Sequence, residues 1–213
     1  MRWRLLDPLD DDQRRQVLAL ANRRRYRRGE VVFHEGDPGD TLHLIERGHV
    51  AIKRSSPLGD VAALLVLGPG DVFGELALVG PAGARSSTVQ ALDALETLTV
   101  HRDHFDELRR HHQAIDRILV EALAADVRRL SDRLLEALYV PVQRRVLRRL
   151  AELASIYGDD AIPLTQDDLA GLAGTSRPSA NKALRAAEEA GLVEVGRGRV
   201  TVLDLEELAR RAG

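Results

Sequence analysis

The chain has 213 residues, with 31 Lys and Arg against 33 Asp and Glu and a formal net charge of −2. That length suits one large or two modest domains, and so balanced a charge means that nucleic acid or a membrane could be met only by a local patch. The absence of cysteine excludes disulfides, iron–sulfur clusters and thiol chemistry.

Hydrophobic residues make up 44% of the chain but aromatic ones only 3%, so the interior has to be built from Leu, Val, Ile and Ala. No apolar run approaches the length of a membrane span, and the Arg-rich, acidic N-terminal stretch is no secretory signal. A cytoplasmic protein without membrane contact is the expectation.

Residues 8–22 carry acidic side chains early and Val17, Leu18, Leu20 and Ala21 later, the pattern of a short amphipathic helix. The run Arg23, Arg24, Arg25, Arg27 and Arg28 reads as a solvated edge leading into a strand. From Gly29 to His101 the chain changes to short β-rich runs: Val31–Phe33, Leu42–Ile45, Val50–Ile52, Val61–Leu67 and Leu95–Val100. Turn residues separate them, at 36–40, at Gly48, at Pro57-Leu58-Gly59-Asp60 and at 68–71. Turns at this spacing predict a small sandwich or barrel.

Within that region lies FGELALVGPAGARSSTV, Phe73 to Val89. Gly74 leaves a backbone N–H open to close approach. Arg85 offers a planar fork suited to phosphate, and Ser86 a hydroxyl donor. Glu75, when ionised, only accepts hydrogen bonds and suits sugar hydroxyls. Gly74, Glu75, Leu76, Ala77, Arg85 and Ser86, around a loop holding Gly80, Pro81 and Gly83, therefore suit a small molecule with one anionic end and one hydroxyl end.

Asp103 is placed to cap a short helix over His104–Arg110. Beyond it Val120, Leu123, Val127, Leu130, Leu134 and Ala137 recur at steps of three and four, a heptad stripe on a long helix that reads as a two-stranded dimer seam. Pro141 ends that helix, and residues 142–156 form another amphipathic one.

Thr165-Gln166-Asp167-Asp168 opens a helix with a capping box. Gly174 stops it, and Thr175-Ser176 cap a second helix with Pro178 in its first turn. Two short helices across a tight glycine turn make a helix-turn-helix. Projection at about 100° per residue puts Ala180, Ala183, Leu184 and Ala187 on one face. Arg177, Pro178, Asn181, Lys182 and Arg185 share the opposite arc, a set suited to base edges and phosphates in a major groove. A hairpin follows, its basic tip carrying Arg197 and Arg199, a wing able to touch phosphates. Residues 141–213 hold eleven basic and eleven acidic side chains, so the argument for DNA rests on facial segregation.

The ligand loop, long helix and winged helix in this order resemble the Crp/Fnr family of bacterial transcription regulators, over roughly Gly29 to Asp204. The most specific part is GELAL followed, ten residues after Glu75, by Arg85-Ser86, which resembles the family's phosphate-binding cassette. The resemblance implies an α+β fold with an N-terminal β-roll effector domain at 1–110, a dimerisation helix at 111–140 and a winged helix-turn-helix domain at 141–213. It implies a cyclic nucleotide, cAMP foremost, with Arg85 and Ser86 on the phosphate, the Gly74 and Leu76 backbone nearby and Glu75 on the ribose 2′-hydroxyl. GTSRPSANKAL, Gly174 to Leu184, resembles the recognition-helix entry and places Arg177, Ser179 and Lys182 on DNA. A homodimer on a palindromic operator, allosteric control and contact with RNA polymerase complete the expectation.

Two departures stand out. Leu130-Ser131 occupies the place of the Thr-Ser pair that holds adenine in cAMP-responsive relatives, leaving Ser131 for that contact. Pro178 stands where relatives often carry a base-reading Glu. An alternative keeps the DNA role without cAMP, as a constitutive protein or one answering another ligand such as a cyclic dinucleotide. An enzyme built on His34, His43 and His49 around a metal lacks a close-set ligand motif. The expectation is therefore no enzyme, no catalytic residue, no metal and no haem, with His101, His104, His111 and His112 on helix surface.

Overall fold

A computed structural model describes residues 3–7, 9–55, 61–79, 83–111, 114–158 and 160–213. The turn expected at Pro57-Leu58-Gly59-Asp60, Gly80 and Pro81 of the ligand loop, and His112 lie outside these residues. The chain divides into two units, Met1–Ile52 with Leu67–Arg129, and Lys53–Val66 with Leu130–Gly213.

The first unit opens with α1, Asp11–Ala19, inside the stretch where the sequence predicts a helix. Asp10 accepts the Gln13 N–H at 2.8 Å while the Gln13 side chain accepts the Asp10 N–H at 3.2 Å, a reciprocal cap worth about 1 kcal/mol. The strands follow: β1 Asn22–Tyr26, β2 Val31–Phe33, β3 Thr41–Arg47, β4 Val50–Ser55, β5 Val61–Leu67, β6 Val72–Phe73, β7 Thr88–Ala91 and β8 Leu95–His101, with the one-turn helix α2, Leu76–Val79, between β6 and β7. They form two sheets, ordered β1-β8-β3-β6 and β2-β7-β4-β5, the end of β4 and nearly all of β5 falling in the stretch 53–66 that is grouped with the second unit. This is the expected β-roll.

Three strands escaped the sequence reading. β1 is the arginine run itself, NRRRY, paired with β8 along a sheet edge and almost wholly exposed. It carries no alternation to read, because neither of its faces is buried. β6 has only two residues, and β7, TVQA, alternates over only four. Ile45, Val50, Phe73, Val89, Ala91 and Leu95 interlock as the interior of the roll. Trp3, Leu42, Leu44, Val100, Phe105 and Ile115 belong to a second cluster, and the Trp3 indole N–H donates to the Ile45 carbonyl at 2.9 Å. Between β3 and β4 the chain reverses at Gly48, with φ +79°, where a Cβ would lie 2.3 Å from the Ala94 carbonyl oxygen. Only glycine fits such a corner.

Two helices complete the passage out of the roll: α3, Arg102–His111, and α4, Ala114–Tyr139. α3 starts one residue before Asp103, so that residue sits in the first turn and is not the cap the sequence predicts. The His101 ring takes the capping role, its Nδ1 accepting the Asp103 N–H at 3.3 Å. On α4 the stripe residues Val120, Val127, Leu130 and Leu134 are 61–65% exposed. Leu135, Leu138 and Tyr139 add exposed apolar surface beside them.

In the second unit, Pro141 caps α5, Val142–Tyr157, where the sequence places the break. Then come α6 Gln166–Leu172, α7 Arg177–Glu189, β9 Val193–Gly196, β10 Arg199–Val202 and α8 Leu205–Ala212. Val146, Leu150, Leu169, Leu184, Val200 and Leu208 lie in one core, each fully buried aliphatic side chain contributing about 1.5–3 kcal/mol. Helix-turn-helix and wing thus fold around α5 and α8.

Candidate anion-binding site and nucleic-acid interface

Arg85 is fixed first through its backbone. Its N–H donates to the Asp37 carbonyl at 2.8 Å and its carbonyl accepts the Gly36 N–H at 2.9 Å, so the turn before β3 holds the residue from both sides. The side chain then points inward and is only 5% exposed. Its Nη1 donates to the Thr41 carbonyl at 2.7 Å and, more weakly, to the Gly74 carbonyl at 3.4 Å. Nη2 donates to the Thr41 hydroxyl at 2.6 Å. The guanidinium carbon stands 4.0 Å from the centroid of the Phe33 ring, a cation–π contact.

Among the described residues no carboxylate comes within ion-pair distance of this cation, and its Nε is buried with no hydrogen-bond partner. Burial lowers the Arg85 pKa, while Asp40, Glu75 and Asp37 push back through space. A buried guanidinium contacting only carbonyls, a hydroxyl and a ring is short of negative charge.

Gly74 is brought against Arg85. Its φ is +86°, and a Cβ there would meet Arg85 Nη1 at 2.7 Å and the Thr41 carbonyl oxygen at 2.8 Å. Glycine is required here by space as well as by conformation. Burial pushes the Glu75 carboxyl above its usual range; a backbone hydrogen bond opposes this and the Asp126 charge adds to it. Leu76 starts α2 and is exposed; the Ala77 backbone lies in the same turn, with its side chain outside the described residues. Ser86 is exposed beside the buried Arg85. Leu130 and Ser131 are exposed on α4.

Sequence reasoning missed the surroundings of Arg85: Thr41, His43 and Phe33. His43 is buried, its ring stacked on Phe73 at 4.6 Å and tilted to Phe33 at 5.8 Å. Its Nε2 lies 3.3 Å from the Thr41 hydroxyl and its Nδ1 3.4 Å from the Thr97 hydroxyl. The available signal was alternation: in Thr41-Leu42-His43-Leu44-Ile45 two polar side chains share one strand face. His49 pairs with Asp93 at 2.6 Å.

The second constellation is the outer face of α7. Ser176 is its N-cap by backbone geometry, without a side-chain cap bond; its hydroxyl donates to that of Ser179 at 3.0 Å. Ala180, Ala183, Leu184 and Ala187 are buried, while Arg177, Pro178, Lys182 and Arg185 are exposed and Ser179 and Asn181 half-buried. This is the segregation expected from the helical projection. Arg177 Nη1 lies 3.4 Å from Asp167, an exposed pair of the kind worth little and readily exchanged. In the wing, Arg197 and Arg199 are exposed about Gly198, whose φ is +66°.

α6 is anchored at its start. Thr165 and Asp168 form the predicted capping box, the Asp168 N–H donating to the Thr165 hydroxyl at 3.1 Å. Lys53 adds an ion pair to the same carboxylate at 2.7 Å. Burial alone would raise the Asp168 pKa, but the bonds from Lys53 and Thr165 outweigh it and hold the carboxyl below its usual range.

Two family matches span the regions that carry these constellations. Residues 23–112 match the family of cyclic nucleotide-binding domains, and residues 144–211 match the Crp-like helix-turn-helix domain. A CRP-like cAMP-activated global transcriptional regulator of Mycobacterium tuberculosis is 34% identical over 192 residues, covering 87% of this chain and 85% of that protein. The cyclic AMP receptor protein of Thermus thermophilus is 32% identical over 196 residues, covering 91% and 90%. Among solved structures, the catabolite activator protein of Thermus thermophilus covers 98% of each chain at 30% identity, with a TM-score of 0.58. With a cyclic nucleotide-binding domain ahead of a Crp-like helix-turn-helix domain and relatives aligned along most of its length, the chain belongs to the Crp/Fnr family of transcription regulators.

Proposed function

We propose that this regulator is a homodimer that binds a palindromic operator and is controlled allosterically by a cyclic nucleotide, cAMP foremost. The supporting observation is Arg85, a nearly fully buried guanidinium with no carboxylate in reach among the described residues. A cyclic phosphodiester brings one negative charge to such a group without the second charge of a monoester. Ser86 would add a hydroxyl donor and the backbone of Gly74, Leu76 and Ala77 a close wall. Glu75 would accept from a ribose hydroxyl. Leu130 and Ser131 enter the ligand set through the family resemblance alone. Residues 1–110 are the sensing part in this reading, 111–140 the pairing helix and 141–213 the DNA reader. Arg177, Pro178, Ser179, Asn181, Lys182 and Arg185 would face the major groove, with Arg197 and Arg199 on flanking phosphates. Contact with RNA polymerase is part of the same proposal.

Calorimetry with cAMP on the wild type and on Arg85→Leu tests it. The wild type is expected to bind and the variant to lose all measurable affinity while its sedimentation behaviour stays unchanged; equal affinity would overturn the assignment of Arg85. Leu130, which offers no hydrogen bond to a base, favours a second reading in which the effector is another cyclic nucleotide or dinucleotide. A nucleotide panel in the same calorimeter separates the two.

A further inference from the structure

The guanidinium of Arg85 has two edges able to grip a pair of oxygens: the end-on edge shared by Nη1 and Nη2, and the side-on edge shared by Nε and Nη2. Thr41 takes the first. Its carbonyl accepts from Nη1 at 2.7 Å and its hydroxyl from Nη2 at 2.6 Å. The remaining Nη1 hydrogen turns to the Gly74 carbonyl at 3.4 Å. The side-on edge is left, and among the described residues its Nε has no acceptor although it is buried. Native proteins rarely leave a buried donor in that condition without a functional reason.

Thr41 is itself held. A hydroxyl that accepts from Arg85 must send its own proton elsewhere, and His43 Nε2 lies 3.3 Å away. On the far side of the ring, His43 Nδ1 is 3.4 Å from the Thr97 hydroxyl. The neutral tautomer with its proton on Nδ1 satisfies every group in that row: Arg85 donates to Thr41, Thr41 to His43 and His43 to Thr97. The burial and nearby Arg85 charge that hold the imidazole pKa down keep it neutral. Stacking on Phe73 fixes the plane of the ring.

The geometry points to Thr41 as a positioning residue for effector binding: oriented by His43, it occupies the end-on edge of Arg85 and so presents the Nε and Nη2 edge to the anionic group of the ligand. This deepens the proposed function and rests on Arg85 being the anion-holding residue. Thr41 touches no ligand in this scheme. Its contribution is to remove the rotational freedom of a long side chain before binding, which leaves less entropy to lose when the anion arrives.

Thr41→Val keeps the shape of the side chain and deletes the hydroxyl, whereas Thr41→Ser keeps the hydroxyl and deletes the methyl. By calorimetry with cAMP, Thr41→Val is expected to bind about tenfold more weakly or worse than wild type, and Thr41→Ser within about threefold. Equal affinity of the valine variant, or the same loss in both variants, overturns the inference. Nitrogen-15 NMR of the effector-free full-length protein reads the orientation directly. The Arg85 Nε–H resonance is expected as one sharp, slowly exchanging signal in wild type and Thr41→Ser, and as a broadened one in Thr41→Val. A signal unchanged in Thr41→Val would sink the positioning role. Failure of the wild type to bind any cyclic nucleotide would instead sink the proposed function, with the NMR comparison still deciding what Thr41 does to Arg85.

Discussion

His43 is a titratable ring inside a β-roll, stacked on Phe73 and one hydroxyl removed from a buried cation. Burial pushes its pKa down from 6.5 to about 3, helped by the charges of Arg85 and Arg24. Between those two values the unfolded chain takes up a proton that the folded chain refuses. Acid therefore favours unfolding across that window, and stability rises with pH until it levels off above about 6.5. The slope from this one group is at most about 1.4 kcal/mol per pH unit. Urea midpoints between pH 4 and 7 for the wild type and His43→Gln check it: the wild type is expected to lose stability on acidification faster than the variant. Parallel curves would mean that the imidazole is already protonated in the fold.

At the scale of elements, the apolar stripe of α4 carries the strongest expectation. Val120, Val127, Leu130 and Leu134 recur at steps of seven, three and four on a helix that leaves them largely in water. In the proposed dimer a second copy of the same stripe would bury them in knobs-into-holes fashion, a few kcal/mol for the set. Leu134→Lys puts a charge into the proposed seam and is expected to shift sedimentation at micromolar concentration from dimer to monomer. Far-ultraviolet dichroism should stay close to wild type. A wild-type protein that sediments as a monomer would remove the seam from the proposal. The other end of the same helix is managed differently. Arg145 of α5 donates to the Ala137 carbonyl at 2.6 Å and the Glu136 carbonyl at 3.3 Å, covering the orphan acceptors of the α4 terminus. The same guanidinium reaches the Gly174 carbonyl in the turn before α7 at 3.1 Å. Arg148 and Arg149 both pair with Glu136. One side-chain cluster thus ties the end of the long helix to the turn before α7.

For the whole molecule, the consequence to test is DNA reading. A twofold dimer would present two copies of α7 to successive major grooves, about 34 Å apart. Arg177→Ala is expected to weaken specific operator binding by about 1–3 kcal/mol at fixed salt, measured by gel shift. Binding to non-specific DNA should change far less, since a base contact and not only a phosphate contact has been lost. An unaltered shift on the specific site would place Arg177 outside the base-reading set.

What the sequence determined by itself was whatever its physics keeps local. The helix-turn-helix could be read from Thr165, Asp168, Gly174 and the small residues of α7 because a cap, a stop and a periodic face are each written in a short stretch of neighbouring residues. The long helix could be read from a repeat that needs no partner to be visible. Most strands announced themselves through apolar runs between turn residues, but β1 did not, since an edge strand with both faces wet has no burial pattern to record. Tertiary structure alone decided the surroundings of Arg85. Gly74, eleven residues away, is legible from the loop itself; Thr41, 44 residues away, His43 and Phe33 are not. Nothing in a linear chain links a guanidinium to a hydroxyl across that distance. Strand pairing does so: it buries the cation with no ion-pair partner among the described residues, and burial makes its unmet hydrogen bond matter.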